Sequence, residues 1–230
     1  MDEPAYYQPA STWNKSPLYL RLFAMGRPYF VKTPWLLKKI YPSRIWNGDK
    51  KEKVIYLSFD DGPHPIGTPF ILDQLKKHDA RATFFCIGRN VETYPQLYKK
   101  ILEEGHRTGN HTQNHLNGYK TTDDIYVSDV LAASGSIQSN IFRPPYGRIK
   151  SSQAKKISRF KIVMWTVLSG DFDTGISEEK CLQNVIRNLE AGAIIVFHDS
   201  EKALTKLRYA LPEVLERGKE KGFRFKAIEL

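Results

Sequence analysis

From Val54 onward, short apolar runs alternate with longer stretches whose apolar positions recur every three or four residues. The runs Val54–Phe59, Ala82–Gly88, Arg107–Gly109, Ile141–Arg143, Ile162–Val167, Ala193–Phe197 and Phe223–Ile228 read as strands, most of them β-branched or aromatic. Between them the period becomes helical, over Thr68–His78, Pro95–Gly105, about Thr122–Ser134, Ser151–Ser158, Ser177–Glu190 and Ala203–Lys221. Local signals agree. Ser151 and Ser177 stand where N-caps belong, Glu178 and Glu179 fill a first turn, and Gly222 follows the last helix. Strands alternating with helices at this spacing predict βα units on a parallel sheet, and about seven units in one domain favour a barrel over an open sheet.

Before Val54 the pattern is lost. Residues 1–16 are polar and proline-bearing, and are expected to be loose or draped over the surface. Residues Pro17 to Tyr41 mix aromatics and leucines with Arg21, Arg27, Lys32, Lys38 and Lys39, which leaves two readings. One is an interfacial amphipathic anchor, and the other is helix and loop packed across the foot of the core. The charge deepens the contrast. Of the net +10, residues 1–53 supply +6, with ten Lys/Arg against four Asp/Glu. The chain thus divides into a basic, aromatic extension over 1–53, packing on or flanking the barrel, and the barrel itself over 54–230.

A basic arm suits a membrane surface, cell-wall polymer or nucleic acid. No nucleic-acid-binding motif accompanies it, so nucleic acid is not expected. Cys86 and Cys181, the only cysteines, exclude a disulfide framework and a cysteine zinc site. No stretch approaches the roughly 20 apolar residues of a membrane span. Met1-Asp2-Glu3 lacks the basic opening of a secretory leader. These features point to a cytoplasmic location or one peripheral to a membrane, and a monomer is expected.

The candidate chemistry lies at the strand ends, where barrels of parallel strands gather side chains on one rim. The first strand ends in Asp60-Asp61-Gly62-Pro63, and neighbouring carboxylates at a strand end point to opposite sides. The third runs into Asn110-His111-Thr112-Gln113-Asn114-His115. Spacing i, i+4 puts both imidazoles on one face of a helical turn, and with Asp61 they make a two-histidine, one-carboxylate metal set. The fourth ends in Arg143-Pro144-Pro145-Tyr146-Gly147-Arg148, Asp171-Phe172-Asp173 follows the fifth, and the sixth ends at His198-Asp199. Singly, each has a bland alternative: a surface histidine, a structural ion pair for Arg143, a loop cap for Asp171 or Asp173, a helix cap for Asp199. Five strand ends carrying ionisable groups favour one shared site.

At these residues the chain resembles the polysaccharide deacetylases of carbohydrate esterase family 4, the NodB-homology domain. Ser58–Pro63 resembles its T-F-D-D-G-P motif with Ser58 for Thr, His111–His115 its H-S/T-x-x-H, and Arg143–Arg148 its Arg-Pro-Tyr-Gly motif. Asp171-Phe172 stands where Asp-Trp is usual, and Val196-Phe197-His198 where Leu-x-His is usual. The resemblance implies an α/β fold, a distorted (β/α)7 barrel, and hydrolysis of N-acetyl groups on sugars by metal-activated water. It implies a divalent ion, Zn before Co, Mn or Ni, held by Asp61, His111 and His115. By the same resemblance Asp60 is the general base, paired with Arg143, and His198 the general acid, supported by Asp171. The Tyr146 N–H joins in stabilising the oxyanion, while Pro144, Pro145, Tyr146, Phe172 and Val196 contact substrate. The expected substrate is N-acetylglucosamine-containing glycan, peptidoglycan or chitin-like, which points to the cell envelope. Phe172 and Val196 depart from the family pattern and leave open O-acetyl-xylan or a small amide or imide. A non-catalytic glycan-binding protein is the reading from another class.

Overall fold

The computed structural model describes residues 29–229; the expectations for residues 1–28 lie outside them. Val54–Asp60 (β1) is the central strand, buried on both faces as a parallel strand under helices must be. It pairs in parallel with Ala82–Cys86 (β2) on one side and Ile194–His198 (β7) on the other. Beyond β2 come Arg107–Asn110 (β3), Ile141–Phe142 (β4) and Lys161–Ile162 (β5), and beyond β7 comes Val167–Leu168 (β6). Arg224–Phe225 (β8) pairs with the opening residues of β1. The order β5-β4-β3-β2-β1-β7-β6, parallel throughout, makes a curled half-barrel.

The helices form because their apolar stripes have a sheet to cover. Gly67–Lys77 (α2) buries Ile71, Leu72 and Leu75, and Leu204–Glu220 (α8) buries Leu207, Ala210, Leu211, Val214 and Leu215. Each leucine, isoleucine or valine among these contributes about 1.5–3 kcal/mol when fully buried. Pro95–Glu103 (α4) buries Ile101 but leaves Leu102 exposed. Asp123–Ala133 (α5) and Glu178–Ile186 (α7) complete the larger helices, and Ser177 caps α7 by accepting from the Lys180 N–H. Ser151–Lys156 (α6) begins on Ser151 itself, with Lys150 at the cap position. Gly88 opens a further short helix, Gly88–Thr93 (α3), where a strand end was expected. Helix α7 stops at Ile186, four residues before the expected Glu190.

The expected strand Ile162–Val167 is broken in two. The Val163 and Met164 carbonyls accept from Arg143 Nε (3.2 Å) and Nη2 (3.0 Å), and the Trp165 carbonyl accepts from Thr33 Oγ1 (2.8 Å). These carbonyls are thus satisfied by side chains rather than by a strand partner. β5 and β6 do not pair, and residues 31–48 run along the opening between them. Leu168 N–H donates to Val31 O (2.8 Å), Thr33 N–H to Thr166 O (2.9 Å), and Ile45 N–H to Ile162 O (2.9 Å). Met164 N–H returns a bond to Ile45 O (2.7 Å). The helix Trp35–Ile40 (α1) lies within this segment.

Candidate active site

The strand register gathers the rim residues. Asp60 closes β1 directly between Phe85 of β2 and His198 of β7. His111 follows β3 and donates its N–H to Cys86 O (2.9 Å), while Arg143 follows β4 and donates to Asn110 O (3.0 Å). Four of the five described non-glycine residues at positive φ, namely Asp61, Thr112, His115 and Tyr146, sit here. Left-handed backbone is costly for such residues and concentrates where geometry is tightly specified.

Asp61, His111 and His115 bring one ligand atom each within 4.8 Å of the others. They do so without the helical turn expected from their spacing. Residues 111–115 form a loop, reversed by Thr112 (φ 65°) and His115 (φ 58°), which leaves the two rings 5.1 Å apart. His111 Nδ1 lies 2.7 Å from the Arg143 carbonyl. A carbonyl only accepts, so Nδ1 carries the proton and the Nε2 lone pair faces Asp61. Burial pushes this imidazole down to about 4, so it is neutral at neutral pH, as a ligand must be. Burial works against the Asp61 charge, but His115 beside it, then His198 and His111, holds the carboxyl below the usual carboxylate range. Asp61 Oδ1 is buried without a hydrogen-bond geometry, 3.1 Å from His115 Nε2 and 3.7 Å from His111 Nε2. Two nitrogen donors and an orphaned carboxylate oxygen facing one point fit a divalent cation.

Asp60 Oδ1 accepts from Arg143 Nη1 at 2.7 Å. The guanidinium is wholly buried and also donates to Ser58 Oγ (2.8 Å), above the Phe85 ring at 4.0 Å. On the other side, Asp171 is fully buried and spends both oxygens on His198: Oδ1 faces Nδ1 at 2.8 Å and Oδ2 accepts the backbone N–H at 2.6 Å. Burial presses the His198 imidazole toward neutrality, but the Asp171 charge and hydrogen bond, with Asp61 and Asp60 behind, lift it to about 9. The Nδ1 proton is thereby held at Asp171 and Nε2 is left for the rim.

A family model described as polysaccharide deacetylase matches residues 47–165. The chain is also 34% identical over 203 residues to a peptidoglycan-N-acetylglucosamine deacetylase of Bacillus cereus, covering 84% of this chain and 95% of that one. The chain belongs to the polysaccharide deacetylase family. A solved structure of the Bc1960 peptidoglycan N-acetylglucosamine deacetylase superposes with TM-score 0.78 at 34% identity, over 85% of this chain and 95% of that one. The half-barrel is therefore a distorted (β/α)7 barrel of the NodB type, and the protein is a hydrolase. A Bacillus anthracis pseudoenzyme of carbohydrate esterase family 4 superposes at TM-score 0.72 with 27% identity, over 81% of this chain and 68% of that one. The deacetylase fold alone does not guarantee the chemistry, which depends on the side chains at the rim.

In this deacetylase Phe172 packs edge-on against His198, with centroids 5.0 Å apart, and Val196 lies two residues before His198 on the same face of β7. Pro144 and Pro145 are buried and lead to Tyr146, which is 62% exposed, with its ring 4.7 Å from that of His115. The Asp199 reading as a cap of the following helix does not hold. Its carboxylate accepts from Thr68 Oγ1 at the start of α2, and its N–H donates to Asp60 O (2.7 Å). Asp173 does act as a loop cap, accepting the Gly175 N–H at 2.8 Å.

Two residues with a part in this geometry gave no motif. Asp129 Oδ2 accepts the N–H groups of Gln113 (3.1 Å) and Asn114 (3.0 Å), and Oδ1 accepts from Asn114 Nδ2 (2.6 Å), so it fastens the histidine loop to α5. An acid on the buried stripe of α5, beside Tyr126, Val130 and Ala133, was the only available signal. Tyr29 packs its ring 5.2 Å from Phe172, and a side chain at Gly170 would collide with its hydroxyl. Nothing local in the sequence marks it.

Proposed function

We propose that the protein removes N-acetyl groups from N-acetylglucosamine-containing glycan, peptidoglycan first and chitin-like polymer second, in a metal-dependent hydrolysis. The observation that carries this is the orphaned Asp61 oxygen facing two histidines, flanked by an Arg-paired carboxylate and an Asp-paired imidazole. The relatives' peptidoglycan activity supports the substrate class, and an association with the cell envelope follows from it. No helix among the described residues is long and apolar enough to cross a membrane.

Asp61, His111 and His115 would hold the ion, Zn before Co, Mn or Ni, which when bound acts as a Lewis acid and lowers the pKa of water to near 7. Asp60 is oriented by Arg143 to take a proton from the attacking water. The Tyr146 N–H would meet the developing oxyanion. His198 Nε2 gives a proton to the departing amine, whose release as an anion would be prohibitive. Phe172 and Val196 would wall the acetyl methyl group, and Pro144 and Pro145 would set the floor beside Tyr146.

The test is acetate release from N-acetylglucosamine oligomers and peptidoglycan, using stripped protein and add-back of Zn²⁺, Co²⁺, Mn²⁺ or Ni²⁺. Metal-restored release supports the reading. Release only from acetyl-xylan or a small amide would shift the substrate class, and glycan retention without any release would make the protein a binder.

The His198 assignment has its own test. In metal-free protein, Asp171→Asn removes the largest of the contributions that together outweigh burial, so the imidazole pKa falls from about 9. A side-chain NMR titration reads this directly. The sign for stability follows: a raised histidine pKa stabilises fully below the unfolded value of about 6.5, and that contribution fades as pH rises through about 9. The native-minus-variant stability difference should therefore shrink across that window.

Tyr29 backs Phe172, so Tyr29→Ala is expected to lower kcat/KM by about tenfold through misplacement of the acid-side wall. Tyr29→Phe, which keeps the ring contact, should stay near the parent. Steady-state kinetics on a soluble oligomer separate the two.

A further inference from the structure

Among the described residues, several large apolar side chains of the segment Tyr29–Lys53 stay uncovered. Phe30 (66% exposed), Trp35 (66%), Leu36 (53%) and Ile40 (55%) are four large apolar side chains within eleven residues. Helix α1 buries none of its six residues. Apolar side chains exposed singly are ordinary on a soluble surface, but a cluster marks an interaction.

The face is not a loose end of the core. On its inner side, Leu37 and Tyr41 pack against the cluster of Trp46, Met164 and Phe160. Backbone hydrogen bonds at Val31, Thr33 and Ile45 fasten it to the strands on either side.

The same segment is strongly basic. Residues 29–53 hold seven Lys/Arg against two Asp/Glu, a net of +5. Lys39 Nζ lies 4.7 Å over the Trp35 ring. Lys38 faces Lys50 and Lys32 with Glu190 as the acid between them, and Glu190 is already paired with Lys32 at 2.7 Å. Burial and then the Lys50 charge lower the Lys38 pKa, as expected where cations outnumber their counterions.

We propose that this face docks on an anionic lipid bilayer surface. Phe30, Trp35, Leu36 and Ile40 would sit at the boundary of headgroups and acyl chains, with Lys32, Lys38, Lys39 and Lys50 against lipid phosphates. Leu36 and Ile40 have nothing to offer a sugar polymer, whereas a bilayer takes aliphatic, aromatic and cationic groups at adjacent depths. None of these residues is among the rim residues named above. The inference does not depend on the proposed deacetylation.

The experiment is co-sedimentation of the full chain with phosphatidylglycerol-containing vesicles and with pure phosphatidylcholine vesicles, at low and high salt. Variants W35A/L36Q/I40Q and K38E/K39E are compared with the parent. The expected result is binding to the anionic vesicles, weakened by salt, with each variant partitioning at least about tenfold less, since tenfold is a small part of what burying three apolar side chains supplies. Thermal melting and the oligomer activity should be unchanged in both variants, because none of the altered side chains is fully buried and none is among the rim residues. Absence of vesicle binding would overturn the proposal. So would variants that bind like the parent, which would assign the binding to residues 1–28 or to diffuse positive charge. Self-association of the parent, abolished by the apolar variant, would make the face a protein interface instead.

Discussion

Asp60→Asn should reduce acetate release by about 10²–10⁴-fold, the usual contribution of a general base, while leaving the metal stoichiometry intact. The residue is 4% exposed, and its Oδ1 is held 2.7 Å from Arg143 Nη1. The amide keeps the size and can still accept that hydrogen bond, but it cannot take up a proton. The three candidate ligands are separate side chains, Asp61, His111 and His115. Metal analysis of the purified variant beside single-turnover kinetics therefore separates the two roles. If Asp60→Asn lost its metal along with its activity, Asp60 would belong to the ligand set rather than act as the base. Asp60→Asn combined with His198→Ala should cost much less than the product of the single losses, because the two act on one transition state.

Arg143→Met should destabilise the fold by about 3–5 kcal/mol, the range for removing one partner of a buried ion pair. At about 2–4 °C per kcal/mol for a chain of this size, the melting temperature should fall by roughly 6–20 °C. The guanidinium is fully buried and supplies donors to Asp60, Ser58 and the Val163 and Met164 carbonyls. Methionine fills the volume and supplies none, so a carboxylate and two carbonyls lose their partner together. Calorimetry of Arg143→Met, Asp60→Asn and the double variant closes a cycle. The double variant should be less destabilised than the sum of the two singles, because the uncompensated charge has gone. Additivity would mean that Arg143 acts through the broken strand alone.

Much of this architecture is legible along the chain. β1 and its Asp60-Asp61 end, the cap at Ser177 and the period of α8 follow from residue type and spacing within a few positions. Burial of one stripe and the chemistry of a turn are local matters. The rim motifs are legible for a related reason: a βα repeat sends every strand end to the same rim, so the order of elements alone groups Asp61, His111, Arg143, Asp171 and His198.

What the sequence by itself determined is therefore the repeat, the rim and the residue types gathered there. The tertiary structure decided how they meet. The division of the expected strand at 162–167 depends on Arg143 and Thr33 reaching its carbonyls. The approach of His111 to His115 depends on a reversed loop tied to Asp129, and the backing of Phe172 depends on Tyr29. Each of these is a contact between distant parts of the chain. Local periodicity records which face of an element is buried, but not which remote group satisfies a backbone carbonyl or presses on a ring; only the folded chain supplies that partner.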